Sequence, residues 1–105
     1  MRVIVCGGRD CTQVQEVRDF LSAQHKIAPI TRLIHGNAHG VDSIAADWAD
    51  YFDIPTSAYT ADWARYGRGA GPRRNQWMLE DGRPELVIAI LGGWWWQGRI
   101  RHFLC

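Results

Sequence analysis

The stretch RVIVCGG, residues 2–8, decides the fold of this chain. Residues 3–6 are apolar and mostly β-branched, and two glycines, Gly7 and Gly8, follow directly. A short run that is apolar at every position is typical of a strand buried on both faces, as in a parallel sheet. The stretch therefore predicts a buried first strand over residues 2–6 that ends in a tight turn.

Helical periodicity recurs in three later segments. Thr12 is a good N-cap, and apolar residues are spaced as in a helix from there until Pro29. An apolar stripe with a period of 3.6 residues predicts a second helix over residues 41–51. A third helix is predicted to open at Pro72, a favoured first helical position, and to stop at Gly82.

Strand-like runs alternate with these helices at residues 30–34, 55–59 and 86–91. Residues 60–71 are predicted to be a loop, because Gly and Arg interrupt any regular pattern there. Regular alternation of strand and helix favours right-handed βαβ units around a parallel sheet. The expected fold class is α/β, a three-layer Rossmann-like fold with a small parallel sheet flanked by helices.

Length and composition restrict the function classes. A chain of 105 residues can bury one core, and no long apolar run or leader is apparent. The three cysteines lack CxxC spacing, which suggests neither a disulfide framework nor a zinc site. We therefore expect a soluble protein of the reducing cytoplasm, with no membrane partner.

The net charge of +1 conceals an uneven distribution. Residues 1–60 hold five Arg or Lys and seven acids, whereas residues 61–105 hold seven Arg and four acids. Arginine recognises phosphate through paired hydrogen bonds, so this bias favours a discrete anion site. A pI near 7.8 argues against general nucleic-acid binding.

Three of the four predicted strands end in glycine, at Gly7 and Gly8, at Gly36, and at Gly92 and Gly93. In an open parallel sheet, ligands bind beyond the carboxyl ends of the strands, where glycine lets backbone N–H groups approach an anion. The alternative is that these glycines only form tight turns. Since neither a Walker motif nor a full GxGxxG is present, a P-loop ATPase and a classical dinucleotide dehydrogenase are not indicated.

Three ordered blocks carry a family resemblance: CGGRD at 6–10, HGNAHGVD at 35–42 and ADWARYGRGAGPRRNQWM at 61–78. They resemble the signature blocks of the YspA-related branch of the SLOG superfamily (YAcAr), and the resemblance covers about residues 1–93. SLOG proteins are similar to the LOG phosphoribohydrolases. The resemblance implies a Rossmann-like fold and a nucleotide or nucleotide-derived ligand, without implying one established reaction.

In the first two blocks, the resemblance places Arg9 and the two glycines before it in a loop that could grip phosphate. The alternative for Arg9 is a surface ion pair with Asp10. Gly36 shapes the second loop, and Asp42 either accepts hydrogen bonds from a ribose hydroxyl or, as we favour, caps the second helix. His35 and His39 have no clear third ligand, so we expect no metal and no other cofactor.

In the third block, Arg73, Arg74 and Asn75 are expected in the first turn of their helix. Cations there oppose the helix dipole unless an anion is bound, which is a functional hint; the alternative is a solvated basic turn. Trp63 and Tyr66 either stack on a base or close the edge of the core.

The tail departs from the LOG pattern. LOG-like proteins carry a Gly-Thr turn, an acidic residue opening another helix and a last strand, whereas Trp94–Trp96 stand here. We expect residues 94–105 to be an atypical, Trp-rich end of the domain formed by residues 1–93, with its last helix and strand shortened. The tryptophans either pack over the sheet, join a subunit interface or reflect a truncated end, and we expect a homo-oligomer.

Three functions remain, in descending order of preference. The first is a module that binds a nucleotide-like phosphate ligand to sense, sequester or process it. The second is a phosphoribohydrolase-like enzyme, which needs an acid beside the ribose from Asp10, Asp42 or Asp62. The third is a structural or interaction protein on a vestigial fold.

Overall fold

The computed structural model describes residues 1–8, 13–91 and 94–98, with only the backbone at 91 and 94–98. The strands are β1 (Arg2–Gly7), β2 (Arg32–His35), β3 (Thr56–Ala58), β4 (Leu86–Leu91) and β5 (Trp94–Gly98). The helices are α1 (Val14–Ile27), α2 (Val41–Tyr51), α3 (Trp63–Tyr66) and α4 (Ala70–Gly82), and a 3-10 turn, Gly67–Gly69, joins α3 to α4. None of the described helices is long and apolar enough to cross a membrane.

The strands form one sheet in the order β3-β2-β1-β4-β5. β1 to β4 are mutually parallel, which confirms the predicted α/β class with its small parallel, Rossmann-like sheet. The chain moves outward from β1 to β3 and then returns to the other side of β1 as β4. This reversal places the topological switch point, where ligands of such folds bind, between β1 and β4.

The tail adds an edge strand that the sequence does not predict. β5 pairs antiparallel with β4, with Leu91 opposite Trp94 and Val87 opposite Gly98. Only two residues separate the strands, too few for the crossover that a parallel pair needs. Residues 99–105 lie outside the described residues.

Two apolar layers cover the two faces of the sheet. Val3 and Val5 of β1 pack in the layer of α1 and α2, which contains the fully buried Trp48. Ile4 of β1 lies in the other layer, with Met78 of α4. Because neighbouring residues of β1 point to opposite faces and both faces are buried, the central positions of the strand, residues 3–6, must be apolar.

The boundaries of α2 and β4 are those predicted, whereas the loop predicted over residues 60–71 is wrong. That segment contains α3, the 3-10 turn and the start of α4, which begins at Ala70 and not at Pro72. A side-chain cap stabilises α3, because the Asp62 carboxylate accepts a hydrogen bond of 3.1 Å from the Arg65 amide. Gly67, with φ 52°, then allows the chain to turn into the next helix.

Two further expectations differ from the structure. α1 has Gln13 at its N-cap position and no side-chain cap, while Thr12 lies outside the described residues. Cys6 forms a disulfide bond, which the spacing of the three cysteines does not predict.

Candidate functional site

A cleft of about 700 Å³ lies at the carboxyl edge of the sheet. Gly7, the last residue of β1, and Gly36, which follows β2, form its floor, while residues of α3, the 3-10 turn and α4 form the opposite side. The structure thus brings together the glycine ends of two neighbouring strands, as the sequence predicts. Gly92 and Gly93, expected at the same edge, lie outside the described residues, as does Arg9.

The two glycines after β1 have different steric surroundings. A Cβ at Gly7 would collide with the Ile90 carbonyl oxygen and lie 2.6 Å from a methyl carbon of Val41. At Gly8, a Cβ would meet nothing within 4 Å. Packing between β4 and α2 therefore explains Gly7 without a ligand, whereas packing among the described residues does not explain Gly8.

Gly36 leaves the space in which Arg74 lies. The Arg74 Nη1 donates a hydrogen bond of 2.8 Å to the Gly36 carbonyl, and its Nε donates one of 2.9 Å to the Asn75 side-chain oxygen. A Cβ at Gly36 would collide with this guanidinium. The absence of a side chain at position 36 thus positions a cation on the side of the cleft.

Asp42 organises the loop after β2, and its predicted role as a helix cap is wrong. Its Oδ2 accepts hydrogen bonds from the amides of Gly36 at 3.0 Å and Ala38 at 3.3 Å, and Gly40 occupies the N-cap position of α2. The residue is only 5 % exposed, yet it reaches the cleft. Burial raises the pKa of this carboxyl, opposed by the amide of Ala38 and, to smaller extents, by other neighbouring groups including His35 and Arg74.

His35 is buried beside this carboxylate, and its Nδ1 accepts a hydrogen bond of 3.0 Å from the Asn37 amide. Burial lowers the pKa of His35, and the charge of Asp42 opposes the shift. An Nδ1 that accepts a hydrogen bond carries no proton, so the contact with the Asn37 amide favours the neutral imidazole. The lowered pKa favours the same form. Among the described residues, no three His, Cys, Asp or Glu side chains are grouped as a metal site would require.

The neighbouring arginines Arg73 and Arg74 point to different places. Arg74 lines the cleft, whereas the Arg73 guanidinium lies 4.3 Å from the centre of the Tyr66 ring and lines a smaller cavity of about 230 Å³. Because α4 begins at Ala70, Arg74 and Asn75 lie in its second turn and not, as predicted, in its first. The dipole argument for an anion at these side chains is correspondingly weaker, since the effect fades beyond the first turn.

The sequence left two roles open for the aromatic residues of α3, stacking on a base or closing the edge of the core. The structure does not support the second role. Trp63 is 49 % exposed and lines the cleft, while Tyr66 is exposed outside it. Sequence reasoning missed Arg68 of the 3-10 turn, which also lines the cleft. Its guanidinium makes no ion pair or hydrogen bond with any described residue. The only signal for it was its position between glycines in the third block.

Fold and site together define a Rossmann-like domain with a cleft at the carboxyl edge of its sheet. The profile of the YspA, cpYpsA-related SLOG family (YAcAr) matches residues 1–66, and the chain belongs to this family. It is also similar to the Gene 61 protein of Mycobacterium phage D29, with 32 % identity over 97 residues, 87 % of this chain and 78 % of that protein. No solved structure matches the chain.

Proposed function

We propose that the cleft binds a nucleotide or a nucleotide-derived phosphate ligand. One observation carries the proposal: a single cavity of about 700 Å³ brings together a strand-end glycine, two arginines, a buried carboxylate and an exposed tryptophan. Pockets for small molecules commonly measure about 300–1,000 Å³, so a nucleotide fits. Membership of the SLOG family supports a ligand of this class.

Each lining group has a separate task in this proposal. The backbone at Gly7 and Gly8 and the guanidinium groups of Arg68 and Arg74 face the phosphate, since arginine and glycine-rich turns are suited to that anion. In addition, Arg9, Gly92 and Gly93 remain proposed contacts from outside the described residues. The proposal no longer includes Arg73 as a ligand of the cleft.

The nucleoside end of the ligand uses the remaining groups. Trp63 offers an exposed ring for base stacking, which is worth roughly 1–3 kcal/mol per base. Asp42 accepts hydrogen bonds from ribose hydroxyls through the oxygen that the loop amides leave unused. Asn75 is buried, lines the cleft and accepts a hydrogen bond from the Arg74 Nε, which positions that guanidinium.

We propose a sensing, sequestering or processing module in the cytoplasm, where a nucleotide is available. The protein is proposed to assemble as a homo-oligomer, because the tail brings three consecutive tryptophans to the edge strand β5. Light scattering at micromolar concentration tests this point. A monomer would contradict it.

A phosphoribohydrolase activity is the second candidate, favoured by one observation. The buried carboxyl of Asp42 reaches the cleft with a raised pKa, which a general acid requires. Asp62, in contrast, caps α3 and lines the smaller cavity. Incubation with nucleoside monophosphates, followed by chromatography for released base, distinguishes the candidates: release that Asp42→Asn abolishes supports an enzyme, and its absence supports a binding module.

Calorimetric titration with nucleoside mono- and diphosphates tests the binding proposal. We expect Arg68→Ala and Arg74→Ala each to weaken binding by about 10–100-fold, the range of charge-assisted hydrogen bonds. Arg18→Ala removes the same charge from α1, in the opposite layer, and serves as the matched control. The proposal fails if no nucleotide binds, or if the control weakens binding as much as the cleft variants do.

A further inference from the structure

A second cavity of about 230 Å³ lies beside the cleft, beyond the carboxyl end of β3. Thr60 and Asp62 line it from the segment that follows this strand, and Trp77 lines it from α4. Arg74 lines both cavities, so its side chain stands between them. Since β3, β2 and β1 are neighbours in the sheet, the two cavities are adjacent along a single edge.

Aromatic rings border the second cavity. Trp77 is 51 % exposed and contacts Tyr59 edge-on, with ring centres 4.7 Å apart. Tyr66 is likewise exposed and has the Arg73 guanidinium stacked on it. Large exposed aromatic residues around a concavity are unusual for a surface without a partner, and they suit the apolar face of a ring.

Polar groups in the same cavity offer both acceptors and donors. One oxygen of Asp62 accepts the Arg65 amide, and the other makes no hydrogen bond with the described part of the chain. The N–H groups of Arg73 likewise have no acceptor among the described residues. The Arg73 guanidinium lies over the Tyr66 ring, and this contact leaves its N–H groups available to a ligand.

The size of the cavity restricts what it can hold. A cavity of about 150 Å³ accepts benzene, so about 230 Å³ is enough for one ring with substituents. It is below the range of about 300–1,000 Å³ that is usual for whole small-molecule sites, so the cavity suits a single ring better than a second complete nucleotide. An aromatic surface with a carboxylate and a guanidinium beside it matches a hydroxylated ring: C–H groups face the aromatic residues, and hydroxyls bond to Asp62 and Arg73.

We propose that the second cavity is a subsite for a sugar, joined through a diphosphate lying against Arg74 to a nucleoside in the cleft. The ligand class is then a nucleoside diphosphate that carries a sugar on its terminal phosphate. This inference rests on the proposed nucleotide binding in the cleft. It adds the chemical identity of the group at the far end of the ligand.

Calorimetric titration with two pairs of probes tests the subsite: ADP with ADP-ribose, and UDP with UDP-glucose. The members of each pair differ only in the terminal sugar. In at least one pair, we expect the sugar-bearing ligand to bind about tenfold more tightly. Trp77→Ala should reduce this ratio to about one without changing the Kd of the plain diphosphate.

The control variant is Tyr51→Ala, which removes an exposed aromatic residue from α2 in the opposite layer and should leave both affinities unchanged. Equal binding within both pairs overturns the subsite and leaves the nucleotide site standing. A preference that survives Trp77→Ala, or an equal weakening of both ligands by that variant, also overturns it. If none of the four ligands binds, the proposed function and this inference fail together.

Discussion

Two segments border the cleft from opposite sides, and they are held in very different ways. Residues 35–42 contain the buried side chains His35 and Asp42, and hydrogen bonds connect this segment to α2, to α4 and to Tyr59, which follows β3. Residues 62–69 are all exposed, and local hydrogen bonds hold them, such as those that Asp62 accepts from the amides of Arg65 and Tyr66.

The contrast separates groups that shape the cleft from groups that are available to a ligand. A buried polar group is costly to leave unpaired, so the contacts of residues 35–42 determine the conformation of that loop. An exposed side chain such as that of Arg68 stays hydrated and contributes little to stability. Substitutions in the first segment should therefore change stability, and substitutions in the second should mainly change binding.

The largest difference is expected between two aspartate substitutions. Asp42→Ala removes the acceptor of two loop amides in a buried place and should lower the free energy of unfolding by about 2–4 kcal/mol. Asp62→Ala removes an exposed helix cap and should cost about 1 kcal/mol. Urea denaturation of both variants measures the difference; equal costs would contradict the contrast between the segments.

Gly36→Ala should have the next largest effect, because the new methyl group occupies the position of the Arg74 guanidinium. We expect a loss of about 1–3 kcal/mol in stability and weakened nucleotide binding, although Arg74 keeps its charge. The double variant with Arg74→Ala supplies the control, since all three nearest atoms belong to that side chain. An unchanged cost of Gly36→Ala without Arg74 would show that the collision is not the cause.

A smaller, pH-dependent effect is expected from His35. Its pKa in the folded protein lies below its ordinary value of 6.5, so the unfolded chain takes up a proton first as the pH falls. Stability should therefore decrease as the pH drops below about 6.5 towards the folded pKa. The raised pKa of Asp42 acts in the opposite sense above its ordinary value of 3.8, where stability rises as the pH falls.

Thermal unfolding between pH 7.5 and pH 5, compared with His35→Gln, isolates this contribution. Residues 62–69 contain no histidine and should add no such slope. An unchanged pH dependence in the variant would rule out His35 as its source.

The smallest effect is expected at Gly69, in the exposed segment. Its backbone is right-handed helical, with φ −76° and ψ −9°, and a Cβ there would come no closer than 4.0 Å to a neighbouring atom, the Arg73 Nε. Gly69→Ala should thus raise stability by about 0.4–1 kcal/mol, because the unfolded chain loses freedom. A loss of stability in chemical denaturation would show that the segment is more tightly packed than its exposure indicates.

Local patterns predicted most of the elements correctly. The apolar stripe of α2 and the apolar run of β4 gave the observed boundaries, since periodicity reports directly which faces are buried. The prediction over residues 60–71 is wrong because glycine does not always break a helix. In the structure, the Asp62 cap and the turn at Gly67 start two short helical segments despite those glycines.

The sequence by itself determined the α/β class, the alternation of the first four strands with α1, α2 and α4, and the glycine ends of β1 and β2 at a common edge. These follow from burial periodicity and from the rule that parallel strands share a direction. Only the tertiary structure decided that Arg74 meets Gly36, 38 residues earlier in the chain, while Arg73 turns away to Tyr66. It also decided that Asp42 holds a loop and does not cap a helix. Such contacts join elements that are distant in the chain but pack against the same sheet. They depend on the direction in which each side chain points, and no local sequence pattern contains that information.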